Sequence, residues 1–335
     1  MMVMAVRRVV ACAALVLLAF TLPQGRSALA QEKLVLRTDF PPVPIHAGLF
    51  LAQVKGWFKE AGIDLEIQDG RGSTNTIQLV GAGQVDIGYV SLGSIMPARQ
   101  AGMNIKSFAA VSHKSDLGVI FDPKKISTIA DLRGKTLLCF TGSTWTPFIP
   151  MFLKSAGLDA SSVTVLNIDV NAMWTSYMAG QGDGVLSIPP FGLALVQKQR
   201  PSRAFLAADY GVPLLGYGLV AREDEIASHA AAFGKIAQII ARAWNYLYDG
   251  HEAEGLTAVQ TARPDAKANP EVFNAALANY RDYFFTPQIK DKPLYMQLDA
   301  EWAAALKTEE TAGLIKPGHT TGEFYTNAIV DSLKR

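Results

Sequence analysis

Cysteine is nearly absent from this chain: 335 residues contain two, Cys12 and Cys139. Cys12 lies in a segment expected to be removed, so no intramolecular disulfide can form in what remains. Cys139, within Leu137-Leu138-Cys139-Phe140, reads as a small buried hydrophobe rather than a nucleophile. An excess of charge of one sign is also missing, with 31 Lys and Arg against 30 Asp and Glu and a net charge of +1. The chain therefore lacks the basic footprint of a nucleic-acid binder. The five histidines are scattered, without the paired spacing of a metal site. There is no Gly-x-Ser-x-Gly elbow, no Walker loop and no Gly-x-Gly-x-x-Gly turn. Acid pairs such as Glu223-Asp224-Glu225 read as a solvated turn, so catalysis, metals and cofactors find little support.

Long hydrophobic runs are confined to the start. Arg7 and Arg8 precede an apolar stretch over 9–22, followed by Pro23, Gly25 and Ser27-Ala28-Leu29-Ala30. That order is a basic n-region, an apolar core too short to span a bilayer, and a small-residue cleavage site, expected to be cut after Ala30. Val9-Val10-Ala11-Cys12 imitates a lipoprotein box, but its cysteine precedes most of the apolar run. Removing 1–30 takes away three Arg and no acid, which turns the net charge to −2. The remaining 31–335 is expected to be soluble and monomeric.

What is present is a repeat. Phe58-Lys59-Glu60-Ala61-Gly62-Ile63-Asp64 returns as Leu153-Lys154-Ser155-Ala156-Gly157-Leu158-Asp159, and Ala82-Gly83-Gln84-Val85-Asp86 returns as Ala179-Gly180-Gln181-Gly182-Asp183. Two matches in the same order point to one supersecondary plan used twice. Each copy reads as strand, helix, strand, helix, strand, with helices over 47–60 and 147–155 and with Gly62 and Gly157 as left-handed C′ residues. Such alternation predicts an α/β fold of two lobes, each a doubly wound, mostly parallel sheet. The first lobe is expected over 31–118 plus 218–335 and the second over 119–217. The chain crosses around 112–126 and returns around 209–220. A helical C-terminal segment, opening with a helix over 227–248, braces the first lobe. Two lobes joined by two crossings make a hinged cleft.

Open α/β sheets bind ligands beyond the carboxyl ends of their strands. The repeat supplies loops there in matched pairs: 39–46, 70–75 and 89–94 in one lobe, and 141–147, 169–171 and 187–191 in the other. Their polar candidates are Asp39, His46, Ser73, Thr74, Asn75, Ser91, Ser143, Thr144, Asp169 and Ser187, which can exchange hydrogen bonds with ligand oxygens, amino groups or ring nitrogens. The same residue types also cap helices, and that alternative stands beside the functional one. Phe40, Tyr89, Trp145, Phe148 and Phe191 add aromatic faces suited to a flat ring, with Trp145 the foremost stacking candidate and lobe packing its alternative. Tyr217 is a weaker candidate on the return crossing. Trp57, Trp174, Trp244 and Trp302 lie in helical patterns and are expected in the core.

The string Pro44-Ile45-His46-Ala47-Gly48-Leu49-Phe50-Leu51-Ala52-Gln53, continued by Lys55-Gly56-Trp57-Phe58-Lys59-Glu60-Ala61-Gly62-Ile63-Asp64 and by Ala82-Gly83-Gln84-Val85-Asp86-Ile87-Gly88, resembles the periplasmic substrate-binding proteins of ABC importers. The similar branch serves thiamine-pyrimidine precursors, nitrate, taurine and alkanesulfonates. The resemblance implies a Venus-flytrap fold that closes on a small molecule and delivers it to a permease in the inner membrane. Within the branch, Pro-x-His-x-Gly-Leu-Phe-x-Ala-Gln is similar to the pyrimidine-precursor binders and to the related yeast-type pyrimidine synthases. Those synthases carry a cysteine-rich motif, whereas Leu214-Leu215-Gly216-Tyr217-Gly218 has no cysteine. Phe40, Trp145 and the scarcity of arginine in the loops favour a heteroaromatic ligand. Arg71 keeps an anion open.

Overall fold

The computed structural model describes residues 31–140 and 143–333. The expected leader, its cleavage after Ala30 and Cys12 lie outside these residues. No helix among the described residues is long and apolar enough to cross a membrane.

The strands form two five-stranded sheets. The first contains β1 (Glu32–Thr38), β2 (Ile63–Gln68), β3 (Ile87–Ser91) and β4 (Ile105–Ala110). The second contains β5 (Gly118–Phe121), β6 (Thr136–Phe140), β7 (Thr164–Ile168), β8 (Gly184–Ser187) and β9 (Arg203–Leu206). The chain then returns to the first sheet as β10 (Tyr217–Arg222). The orders are β2-β1-β3-β10-β4 and β7-β6-β8-β5-β9.

The repeat is visible in the register. β2-β1-β3 pair in parallel, as do β7-β6-β8, and Leu36 stands between Ile67 and Ile87 as Leu137 stands between Val165 and Gly184. Each sheet takes one antiparallel strand from next to a crossing: β10 between β3 and β4, and β5 between β8 and β9. Both sheets are thus mostly parallel, as the alternating pattern requires.

The repeated Ala-Gly-Gln…Asp string does the same structural job twice. Gly83 and Gly180 adopt left-handed φ of 68° and 87°, which an L side chain resists. Their N–H groups close the preceding helices on Val80 and Tyr177, each at 2.9 Å. Asp86 Oδ2 then accepts from the Val35 N–H at 2.7 Å, and Asp183 Oδ2 from the Thr136 N–H at 3.0 Å. Each aspartate thus ties the strand it precedes to that strand's parallel neighbour, β3 to β1 in the first sheet and β8 to β6 in the second.

Helices cover both faces of each sheet. The first repeat supplies α1 (Ala47–Val54), α2 (Trp57–Glu60), α3 (Ser73–Gly81) and α4 (Ile95–Gln100). The second supplies α5 (Ile149–Ser155), α6 (Val170–Met178) and α7 (Pro189–Val196). After β10 come α8 (Glu223–Ser228), α9 (Ala230–Tyr246), α10 (Ala253–Ala262), α11 (Pro270–Phe284), α12 (Asp299–Thr311) and α13 (Ala328–Ser332). Alternate residues of the central strands feed opposite cores, as a pleated strand dictates. Leu36 and Tyr89 face Phe50, Trp244 and Phe284, while Val90 and Val220 face Ile77 and Trp302. In the second sheet Leu137 and Cys139 face Phe152, while Leu138 and Val185 face Tyr177. Cys139 is buried, as its apolar neighbours require.

Three helices differ from the expected spans. The helix over 47–60 breaks at Gly56, whose φ of 75° cannot continue α-geometry. The helix over 147–155 opens as a 3-10 turn, Thr146–Phe148. The helix over 227–248 divides at His229, and α9 ends in a π segment, Leu247–His251, where Gly250 turns to φ 87°. The C-terminal segment also reaches beyond the first sheet. Phe273, Leu277 and Phe284 of α11 sit in that sheet's core, yet the same helix lies along α7, and Asn279 Nδ2 donates to the Pro190 carbonyl at 3.0 Å.

Candidate functional site

The carboxyl ends of β1, β3, β6 and β8 open onto a cavity of about 520 Å³ between the two sheets. Its first-sheet wall is built by the turn after β2. A Cβ at Gly70 would stand 1.9 Å from the Thr38 carbonyl oxygen, so only glycine lets the chain pass. Gly72 follows with φ 108° and occupies the N-cap of α3, with no side chain capping it. Ser73 is therefore the first helical residue, free of the capping role that its sequence allowed. Its hydroxyl accepts from the Ser91 N–H at 3.1 Å and lies 3.4 Å from Asp39 Oδ2.

Asp39 is the centre of this wall. The Val43 N–H points at His46 Nδ1 at 3.4 Å, which leaves Nε2 to donate to Asp39 Oδ1 at 2.9 Å. Behind them Tyr89 donates to the Ile45 carbonyl at 2.6 Å and sets its ring edge-on to His46 at 5.2 Å. The carboxylate is thus buried but held, as a buried charge must be.

The cavity wall contains Asp39, Phe40, Ser73, Thr74, Asn75, Ser91, Ser143, Thr144 and Ser187 of the expected set, together with Arg71, Tyr217 and Phe191. Ser143 also caps locally, because its Oγ accepts from the Trp145 N–H at 3.2 Å. Five expected residues do not line the cavity, among them Phe148, which is buried and faces a neighbouring cavity. His46 and Tyr89 are fully buried behind Asp39 and act on the wall from within. Asp169 is exposed and starts α6, its carbonyl accepting from Ala172 and Met173 at 3.1 and 3.0 Å.

Trp145 is the fifth, and it corrects the foremost stacking expectation. It is fully buried in the second sheet's core, donates Nε1–H to the Gly118 carbonyl at 2.7 Å, and meets Phe152 edge-on at 5.2 Å. The tryptophan that does line the cavity is Trp174, which was expected in the core. Met173 and Tyr177 occupy the buried stripe of α6, and Trp174, one residue round the helix, leans over α7 instead. Gly192 makes the room, since a Cβ there would stand 2.5 Å from the indole. Trp174 and Phe191 then meet edge-on at 6.3 Å, and Phe140 completes an aromatic second wall.

Sequence reasoning also missed Asp116, which lies on the outgoing crossing and lines the cavity floor. Burial raises its carboxyl to about 7; the Tyr280 hydroxyl, donating at 2.8 Å, opposes this, and the Asp39 charge adds to it. The available signal was topological: a crossing between two lobes must pass the cleft, so its polar residues face it. The crossings are bound to one another there, with the Val111 N–H on the Tyr217 carbonyl at 2.8 Å and the Tyr217 N–H on Ser112 Oγ at 2.9 Å.

The cavity therefore offers two buried carboxyl groups, a fringe of hydroxyls and a set of ring faces, with Arg71 exposed. Buried acceptors of that kind match N–H donors, and the rings match a flat apolar surface.

Comparison with known proteins gives four further findings. The chain is 30% identical over 93 residues to the 4-amino-5-hydroxymethyl-2-methylpyrimidine phosphate synthase of Saccharomyces cerevisiae, covering 28% of this chain and 27% of that protein. The match thus spans about a quarter of the length of that relative. It is 24% identical over 256 residues to the formylaminopyrimidine-binding protein of Halalkalibacterium halodurans, covering 75% of this chain and 73% of the relative. The periplasmic aliphatic sulphonate binding protein SsuA from Escherichia coli superposes with a TM-score of 0.69 at 14% identity, covering 89% of this chain and 99% of that one. The fold is that of the two-lobed α/β periplasmic binding proteins. With residues 43–253 matching the family model, the chain belongs to the NMT1/THI5 like family.

Proposed function

We propose that this chain is the solute-binding component of an ABC-type importer. It takes a small heteroaromatic ligand, an aminopyrimidine of the thiamine-precursor kind, and hands it to a permease in the inner membrane. In this reading 1–30 directs export to the periplasm. Residues 31–118 plus 218–335 and residues 119–217 are the lobes that close on the ligand. The observation that carries the reading is the pairing of a held, buried carboxylate, Asp39, with the Trp174, Phe191 and Phe140 rings across one cavity. An exocyclic amino group and ring nitrogen would meet Asp39 and the hydroxyls of Ser73, Thr74 and Ser187, and the ring would lie against the aromatic wall. A pyrimidine-binding relative aligned over three quarters of the chain supports the same ligand class.

Closure follows from linkage. Each lobe carries half the contacts, and a ligand touching both favours the closed arrangement by its differential affinity. A small anion is the second reading, favoured by Arg71 on the cavity wall. Asp39 and Asp116 weigh against it, because an anion placed between two carboxyl groups is repelled when they ionise.

The test is a thermal-shift and calorimetric titration of residues 31–335 with 4-amino-5-hydroxymethyl-2-methylpyrimidine and with butanesulfonate. The expected result is stabilisation by the pyrimidine alone, weakened at least tenfold in Asp39→Asn. Stabilisation by the sulfonate alone would transfer the proposal to the anion. Consumption of the pyrimidine during incubation would make the chain an enzyme.

A further inference from the structure

The ligand cavity continues into a second one of about 430 Å³, with which it shares Thr74, Gln78, Ser91, Leu117, Ser143 and Thr144. The far wall of this extension is largely apolar, formed by side chains such as Ile77, Met103, Phe148 and Leu314. Among the described residues lining it, Glu309 is the one charged side chain.

Glu309 is out of keeping with its position. It stands on α12 three residues after Leu306 and four after Ala305, on the stripe that buries Trp302 in the first sheet's core. The residue is 2% exposed, and its Oε2 has no hydrogen-bond partner among the described residues. Its Oε1 faces Gly93, where a Cβ would stand 3.1 Å away. The other buried acids of the cleft are held: Asp39 by His46, and Asp116 by Tyr280. A buried carboxyl without a donor is costly, and one that opens onto a cavity has room for a donor to arrive. Burial alone pushes its carboxyl up to about 8, so in the empty protein at neutral pH it holds its proton.

We propose that this extension is a subsite for a cationic nitrogen, a primary ammonium or an amidinium, carried on an apolar stem. Glu309 supplies the carboxylate and the apolar wall takes the stem. The inference rests on the cleft being a solute site, but not on which ring the main cavity holds. The proton balance is definite. Protonated Glu309 meets the cation, gives its proton to solvent and remains as carboxylate against ammonium, so about one proton leaves per cation bound near neutral pH. A neutral alcohol on the same stem displaces no proton.

The experiment is isothermal titration of residues 31–335 with n-butylammonium chloride and with n-butanol at pH 7, in two buffers of different ionisation enthalpy. Butylammonium is expected to bind with release of about one proton per cation, and butanol with none. Glu309→Gln, which has the shape of the protonated acid, should weaken butylammonium at least tenfold and abolish the release. Glu309→Asp, which keeps the charge, should retain the release at lower affinity, and melting curves of both variants establish that they fold. Binding of butylammonium without proton release, or equal binding by Glu309→Gln, would overturn the subsite. Titration of the wild type with 4-amino-5-hydroxymethyl-2-methylpyrimidine keeps the two ideas apart. If it fails to bind while butylammonium still shows Glu309-dependent release, the ring assignment falls and the subsite stands.

Discussion

The wall of the cleft on the first sheet centres on a hydrogen-bonded carboxyl group, whereas the wall on the second sets three aromatic rings beside its hydroxyls. The register makes the contrast sharp. Leu36 and Leu137 hold equivalent places in β1 and β6, so Asp39 and Phe140 stand at equivalent positions just past them. In one lobe that position carries a carboxylate held by His46 at 2.9 Å; in the other it carries a ring beside Trp174 and Phe191. The backbone clamps made by Asp86 and Asp183 remain alike. The clamped end of each sheet is alike in the two lobes while the cavity end differs, and a cleft with two unlike walls can orient a bound molecule in a way that two like walls could not.

Five substitutions test that contrast. Trp145→Ala is expected to have the largest effect, destabilising the protein by about 3–5 kcal/mol in denaturant unfolding, because it empties a full indole site and orphans the Gly118 carbonyl. A loss below about 1 kcal/mol would remove Trp145 from the second sheet's core.

Asp116 comes next and acts through pH. A carboxyl whose folded pKa, about 7, exceeds its unfolded value stabilises the fold at low pH and loses that contribution as pH rises through about 7. The unliganded protein should therefore lose stability between about pH 4 and 7, by on the order of 2–4 kcal/mol from this group. Asp116→Asn should flatten that slope in melting curves taken across the range, and an unchanged slope would refute the assignment.

The clamps follow. Asp86→Ala and Asp183→Ala should each cost about 1–3 kcal/mol, since each leaves a strand N–H without its acceptor. Asp183 should cost the more of the two, because Lys125 Nζ also reaches it at 3.0 Å. Strongly unequal losses in the opposite order would break the claim that the clamped ends are alike.

Trp174→Ala should have the smallest effect on stability, under about 1 kcal/mol, but weaken the pyrimidine about tenfold by calorimetry. Trp145→Ala and Trp174→Ala thus have opposite signatures, one in stability and one in binding.

The two tryptophans also mark where the sequence stops being legible. The loops at the strand ends could be read because Gly70, Gly72 and the repeated glycines meet backbone demands that act locally. The hydroxyls on those loops could be read for the same reason, and most of them do line the cavity. A side chain's direction is another matter. Trp145 sits on a loop at the cleft, yet it turns inward because the Gly118 carbonyl and Phe152 complete its surroundings there. Trp174 sits in a helix and turns outward because Met173 and Tyr177 already fill the buried stripe. Both choices are made by residues distant in sequence. Asp116 is hidden differently: it stands on a crossing without helix or strand periodicity, so nothing local shows that it faces the cleft. Glu309 was legible in principle, as an acid spaced with Ala305 and Leu306 on an apolar stripe.

The exchange of antiparallel strands at the crossings sets an order of assembly. Every strand of the second sheet lies within one stretch, from Gly118 to Leu206. The first sheet stays open until β10 inserts between β3 and β4, and its core still lacks Trp244 and Phe284 at that point. Contacts between near neighbours in sequence form sooner than those that close a long loop. A chain emerging N-terminus first from a ribosome therefore builds its middle before its beginning, with β1 to β4 waiting on residues made more than a hundred positions later.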